Sequence, residues 1–150
     1  MRATLDSGIL IRASTSPDGS AARVIAELAP PAHQILLSEY ILDEFSRVMT
    51  YPRIQRRGVW TDIDLRANRF RLASVIVEPA QGPPVVLADP KDDPIVYTAV
   101  AGKADVLCTL DRHFQSPAVL DFLRTHGIRV LSDVELLREL LLSRPEGHSA

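Results

Sequence analysis

Residues 104–111 read Ala-Asp-Val-Leu-Cys-Thr-Leu-Asp: a short apolar run from Val106 to Leu110 that ends on an acid. Helical patterns flank it on both sides. Asp93-Pro94 reads as an N-cap followed by proline at the first helical position, and opens a helix to about Gly102. Ser116-Pro117 starts another through Arg124, which Gly127 stops. The same alternation extends outward to both ends. Ala3 to Asp6, Gln34 to Leu37, Val75 to Val77 and Ile128 to Leu131 are strand candidates. Between them lie a helical turn at Ile9 to Ile11, a helix from Ser20 to Ala29 ended by Pro30-Pro31, and a helix capped by Ser38 and closed by Tyr51-Pro52. Thr61 opens a helix to about Ser74, and Ser132-x-x-Glu135 boxes the start of the last one. Glu78 to Pro90 carries four prolines and a glycine and reads as a loop with an extended Val85-Val86-Leu87 inside it. Short apolar strands separated by helices predict an α/β domain with a largely parallel sheet.

The chain has 150 residues, 46% of them hydrophobic, which suits one compact domain over 1–142 followed by a flexible tail at 143–150. One cysteine excludes an internal disulfide and a multi-cysteine zinc knuckle, and makes the cytoplasm the expected setting. No apolar run approaches the ~20 residues a membrane span needs. Net charge is −2, yet its distribution is uneven. Arg47 to Arg71 holds seven arginines against Asp62 and Asp64, so this segment is +5 and the remainder −7. Arginine forks match phosphate oxygens, and Arg53, Arg56 and Arg57 are the candidates for contact with a nucleic-acid backbone.

In a parallel α/β sheet the functional crevice lies beyond the carboxyl ends of the strands, at a topological switch point. Asp6 ends the first strand and Asp111 follows the strand expected over 105–110, so both project at one rim, where Asp93 joins them. In the Ser38-capped helix, Ile41, Leu42, Phe45, Val48 and Met49 form the apolar arc, and Glu44 borders it while Glu39 and Asp43 lie opposite. Gathered acids repel one another unless protonated or compensated by a cation, and oxygen-only ligands select Mg²⁺ or Mn²⁺ over zinc. The matching chemistry is metal-assisted hydrolysis of a phosphodiester.

Four segments resemble, in order and spacing, the acidic motifs of PIN-domain ribonucleases: Thr4 to Leu10, Ser38 to Phe45, Asp89 to Ala99, and Ala104 to Phe114. The resemblance covers nearly the whole chain and is closest to bacterial VapC-like toxin components of toxin-antitoxin systems. It implies a three-layer α/β/α fold and a Mg²⁺- or Mn²⁺-dependent endoribonuclease acting on RNA, often a homodimer, held inactive by a small antitoxin. It assigns catalysis and metal binding to Asp6, Glu44, Asp93 and Asp111, with Asp92 as the alternative to Asp93. The first motif departs from the family's Asp-Thr-Asn: here it is Asp6-Ser7-Gly8. Ser7 keeps a hydroxyl beside the acids, but Gly8 supplies no amide to brace them, which predicts reduced metal affinity. A PIN-fold module that binds RNA or a partner without cutting is the competing expectation.

Other candidates weigh less. A receiver-type phosphoacceptor needs a lysine at the end of the last strand, and Lys91 and Lys103 are not so placed. Cys108 reads as a buried small hydrophobe. His33, His113, His126 and His148 lack metal-ligand spacing, although His113 neighbours Asp111 and so can touch substrate. Trp60 reads as core packing, with base stacking as an alternative. The leucines at 136, 137, 140, 141 and 142 exceed one helical stripe and suggest packing against a second copy.

Overall fold

The computed structural model describes residues 1–145. Positions 146–150, including His148 and most of the expected tail, lie outside the described residues. The chain forms a three-layer α/β/α domain around five parallel strands in the order β3-β2-β1-β4-β5. These are β1 (Arg2–Leu5), β2 (Gln34–Leu37), β3 (Val75–Ile76), β4 (Val106–Cys108) and β5 (Arg129–Leu131). The chain builds outward from β1 through β2 to β3, then returns to lay β4 on the other side of β1. The switch point therefore falls between β1 and β4, in the register Leu5 opposite Cys108.

Helices α1 (Ser7–Thr15), α2 (Ser20–Glu27), α3 (Glu39–Met49), α4 (Pro52–Gln55), α5 (Ile63–Leu72), α6 (Asp93–Ala101), α7 (Pro117–Thr125) and α8 (Asp133–Leu142) connect and cover the strands. α6 lies against β2, β1 and β4; α1 packs on α2 and α3, α2 on α8, and α3 on α5. Apolar strand residues such as Leu5, Leu36, Leu37 and Leu107 are fully enclosed, together with Ile41, Leu42, Phe45 and Met49 of α3. α5 is polar on most of its surface. It is held by Ala67 and by Phe70, whose ring meets Phe45 edge-on at 5.3 Å, and by the Arg71–Glu39 ion pair.

The caps account for most of the boundaries. Ser38, Ser116 and Ser132 each accept the third amide of the helix they start, and Ser132 with Glu135 completes a reciprocal box. Gly127, at φ 72°, ends α7. Several details differ from expectation. A one-turn helix that the sequence did not predict, α4, carries Arg53, with Pro52 pre-set for its first position. α5 starts after Asp62, not Thr61, and neither side chain caps it. Val85-Val86-Leu87 joins no strand, because the Val85 and Val86 amides are taken by Asp93. Of the α8 leucines, Leu136, Leu137 and Leu140 enter the chain's own core, and only Leu142 stands fully outside it.

Candidate active site

Asp6 follows the last residue of β1, at the switch point. Its backbone amide continues the ladder to the Cys108 carbonyl at 3.2 Å, which sets the direction of its side chain. One carboxylate oxygen caps α1 by accepting from Ile9 N at 2.9 Å, and the other accepts from the Thr109 hydroxyl. Burial is nearly complete, and desolvation pushes the acid up to about 6 against the pull of those two bonds, with Asp111 and Glu44 adding like-charge repulsion. Ser7 donates to Glu44 Oε1 at 2.7 Å, tying the start of α1 to the middle of α3.

A second approach to the same space comes from the turn before α6. Asp89, Pro90, Lys91 and Asp92 form a short 3₁₀ turn, fastened to α3 by the Tyr40 hydroxyl donating to the Lys91 carbonyl. The turn swings Asp92 inward, and burial pushes its carboxyl up to about 6, aided by Asp111, Asp89 and Glu44 and opposed by His113. After β4, the Thr109 hydroxyl accepts from Asp111 N at 3.0 Å, and Asp111 Oδ1 accepts from His113 N at 2.9 Å. Thr109 therefore braces two acids at once.

Asp6, Ser7, Glu44, Asp92, Asp111 and Arg53 line one cavity of about 160 Å³. Asp93 is not among them. Its Oδ1 accepts from Val85 N at 3.1 Å and Val86 N at 2.7 Å, and it borders a separate cleft with Tyr40, Glu78 and Tyr97. Asp92, the expected alternative to Asp93, lines the cavity with Asp6, Glu44 and Asp111. The reason is the 3₁₀ turn, which begins the helical phase before Asp93 and makes Asp93 the first α-helical residue instead of its cap. Arg53 reaches the cavity, whereas Arg56 and Arg57 are exposed beyond it.

Asp89 escaped the sequence reading. It has one signal: in a 3₁₀ turn, residues three apart stack on one side, which puts Asp89 over Asp92. Asp89, Asp92 and His113 each bring a ligand atom within 4.8 Å of the others. Cys108 is buried, and burial pushes its thiol up, as a structural cysteine requires. The site suits a hard divalent cation on the chemistry of its donors: carboxylate oxygens converge there, and two of them are buried enough to resist carrying charge without a cation.

A larger cleft, about 510 Å³, lies beside Asp93; of its acids, Glu39 is paired with Arg71 and Asp93 accepts from two backbone amides, while Glu78 also lines it. No helix among the described residues is long and apolar enough to cross a membrane. Comparison with curated proteins finds no match. A family model described as PIN domain matches residues 2–113, from β1 to the turn after β4, and so takes in every acid of the cavity. With most of its length matched, and with five parallel strands bringing those acids to the switch point, the chain belongs to the PIN-domain family.

Proposed function

We propose that this protein is a Mg²⁺- or Mn²⁺-dependent endoribonuclease, the VapC-like toxin of a toxin-antitoxin pair, acting in the cytoplasm as a homodimer that a small antitoxin restrains. PIN domains are generally nucleases, and the observation that carries the reading here is the convergence of Asp6, Glu44, Asp92 and Asp111 on one cavity at the strand ends. A divalent ion held by these acids supplies Lewis-acid polarisation of a phosphate and of a water. The chain's own residues do the rest. Thr109 and the α1 amide hold Asp6 in one rotamer, and Ser7 holds Glu44, so the carboxylates need little reorganisation on binding. Arg53 supplies positive charge within an otherwise acidic wall, where it attracts the phosphate that the acids repel.

The test is RNA cleavage by the purified chain with Mn²⁺. Asp6→Asn and Asp92→Asn are expected to lower cleavage at least ~100-fold, while Asp93→Asn lowers it much less. Equal cleavage by the Asp6 variant and the unsubstituted chain removes the reading. Size-exclusion chromatography with light scattering checks the dimer, and co-purification with the product of a neighbouring short reading frame checks the antitoxin.

A second reading, a PIN-fold module that binds RNA or a partner without cutting it, rests on Gly8. A Cβ there would stand 3.4 Å from Asp6 Oδ1, so position 8 has room for a side chain beside the acid and glycine provides none. Salt-sensitive RNA binding with no cleavage under any divalent ion favours that module over the nuclease.

A further inference from the structure

We propose that a pocket between α1, α2 and α5 is a second substrate subsite, which holds one nucleotide of a single-stranded RNA a few positions away from the bond that is cut. The phosphate sits on Arg69, Arg66 and the Ser14 hydroxyl, and the base or sugar against Phe70 and Ile25. The inference rests on reading the protein as one that acts on RNA.

The pocket has a volume of about 220 Å³, and its walls include Ser14 of α1, Ala22 and Ile25 of α2, and Arg66, Arg69 and Phe70 of α5. The three α5 residues stand three and four apart, so they share one face of that helix. No carboxylate lines the pocket among the described residues, in contrast to the acidic cavity at the strand ends.

Ser14 is the first reason. It is only 8% exposed, and its hydroxyl has no hydrogen-bond partner among the described residues. A helical hydroxyl ordinarily escapes that state by donating to the carbonyl one turn back, as the neighbouring Thr15 does to Ile11 at 2.9 Å. Ser14 makes no such bond, and a buried hydroxyl left unpaired is destabilising. A ligand oxygen in the pocket supplies the missing partner.

Charge is the second. Arg71 pairs with Glu39, and Arg66 donates its Nε to Asp62 at 3.0 Å, but Arg69 forms no ion pair among the described residues. A free guanidinium beside an unpaired hydroxyl selects an oxyanion. The wall next to them is aliphatic and aromatic, so a bare phosphate would leave Ile25 and Phe70 uncovered, and a wholly apolar ligand would leave the guanidinium and hydroxyl without partners. A nucleotide answers both halves: cationic groups that follow a backbone, with an aromatic side chain beside them, are what a single-stranded nucleic-acid groove presents.

Position is the third. α1 joins the two sites: Asp6 caps its start, Ile11 lines the acidic cavity, and Ser14 on the last turn lines this pocket. From Asp6 to Ser14 the helix rises about 12 Å. One RNA strand covers that distance in about three to four nucleotides at the ~3.4 Å spacing of a stacked chain.

The test uses the full chain without metal and a fluorescein-labelled octanucleotide whose 2′-O-methyl riboses resist cutting, with binding followed by anisotropy over a range of salt. Arg69→Gln is expected to weaken binding ~5- to 10-fold and to flatten the slope of log affinity against log salt by ~0.7. Ser14→Ala is expected to weaken it ~3-fold while raising the thermal midpoint of the free chain, because it removes the unpaired hydroxyl and installs a better helix former. A serine with a structural role alone shifts the midpoint and leaves the affinity unchanged. With 4-thiouridine placed at each position of the RNA in turn, photo-crosslinks to the α5 peptide that carries Phe70 are expected from one end of the strand.

Unchanged affinity in either variant, or crosslinks that never reach α5, overturns the subsite. The two readings fail separately. RNA binding that depends on Ser14 and Arg69, in a chain whose cleavage ignores Asp6, upholds the subsite and overturns the nuclease; Asp6-dependent cleavage with binding indifferent to Ser14 and Arg69 overturns the subsite alone.

Discussion

Asp6 carries both a structural and a chemical duty, and the two oppose each other in the absence of a cation. It caps α1 and meets Thr109, but burial makes its charge expensive. Its acid stands at about 6 in the folded chain against 3.8 for an unperturbed aspartate, so the folded state holds a proton that the unfolded state has already released. The stabilisation from that proton is full below about pH 4 and is lost as pH rises through about 6. Asp6→Asn is therefore expected to make the metal-free chain more stable at pH 7, by about 1–3 kcal/mol in urea denaturation, even as it removes activity. A variant less stable than the parent at pH 7 contradicts the burial argument. By the same linkage, Mn²⁺ affinity measured by calorimetry is expected to fall as pH drops through about 6, where protons compete for Asp6 and Asp92.

Gly8 belongs to the same scale. It lies in the first turn of α1 at an ordinary negative φ, so nothing in the backbone requires glycine there, and the space beside Asp6 admits a side chain. Gly8→Asn is expected to tighten Mn²⁺ binding roughly 10-fold by supplying a donor to Asp6, and to add about 0.3 kcal/mol of stability through helix propensity. Calorimetry with Mn²⁺ and thermal melting measure the two effects separately.

At the scale of elements, the site is assembled by short connectors gripping long-range partners. α3 supplies Glu44 on one turn and Tyr40 on the turn before it, and Tyr40 holds the 3₁₀ turn that presents Asp92. α3 is in turn pinned by Phe45 against Phe70 of α5. Phe45→Ala is expected to cost about 3–5 kcal/mol and to unsettle the cavity with the helix. Ser132→Ala, at the start of α8 and away from the acids, is expected to cost about 1 kcal/mol and to leave cleavage per folded molecule unchanged. Denaturation of the two variants beside their specific activities separates elements that build the site from those that support only the fold.

Across the whole molecule, charge is sorted. The acids sink into the switch point, while the arginines of 47–71 lie on α3, α4, α5 and the turn after α4, with Arg53 reaching the acidic cavity. Some are already committed, Arg71 to Glu39 and Arg66 to Asp62, and Arg47 and Arg53 flank the Tyr51 ring at 5.9 Å each. Arg53, Arg56 and Arg57 are proposed to meet phosphates. Replacing these three with alanine is expected to flatten the plot of log affinity for single-stranded RNA against log salt by ~0.7 for each contacting arginine lost. An unchanged slope places the RNA elsewhere.

Local chemistry determined much of this protein before any folding is considered. Apolar runs at Ala3–Leu5, Gln34–Leu37, Val75–Ile76, Val106–Cys108 and Arg129–Leu131 all become strands, because each is too short and too apolar for a surface helix and sits between capped helices. Ser38, Ser116 and Ser132 mark helix starts through a bond that reaches only three residues, so the sequence carries the whole interaction. That Asp6 and Asp111 each follow an apolar run is legible in the sequence; that the two runs lie side by side is not.

What tertiary structure alone decided is which of two adjacent acids enters the cavity. Asp92 and Asp93 are chemically equal, and a helix start shifted by one residue turns a side chain by about 100°. The phase is set by the 3₁₀ turn fastened to Tyr40 and by the amides of Val85 and Val86, contacts outside the reach of any local pattern. His113 and Asp89 join the acids for the same reason: their proximity exists only once β4 is laid beside β1 and the turn before α6 closes over the gap.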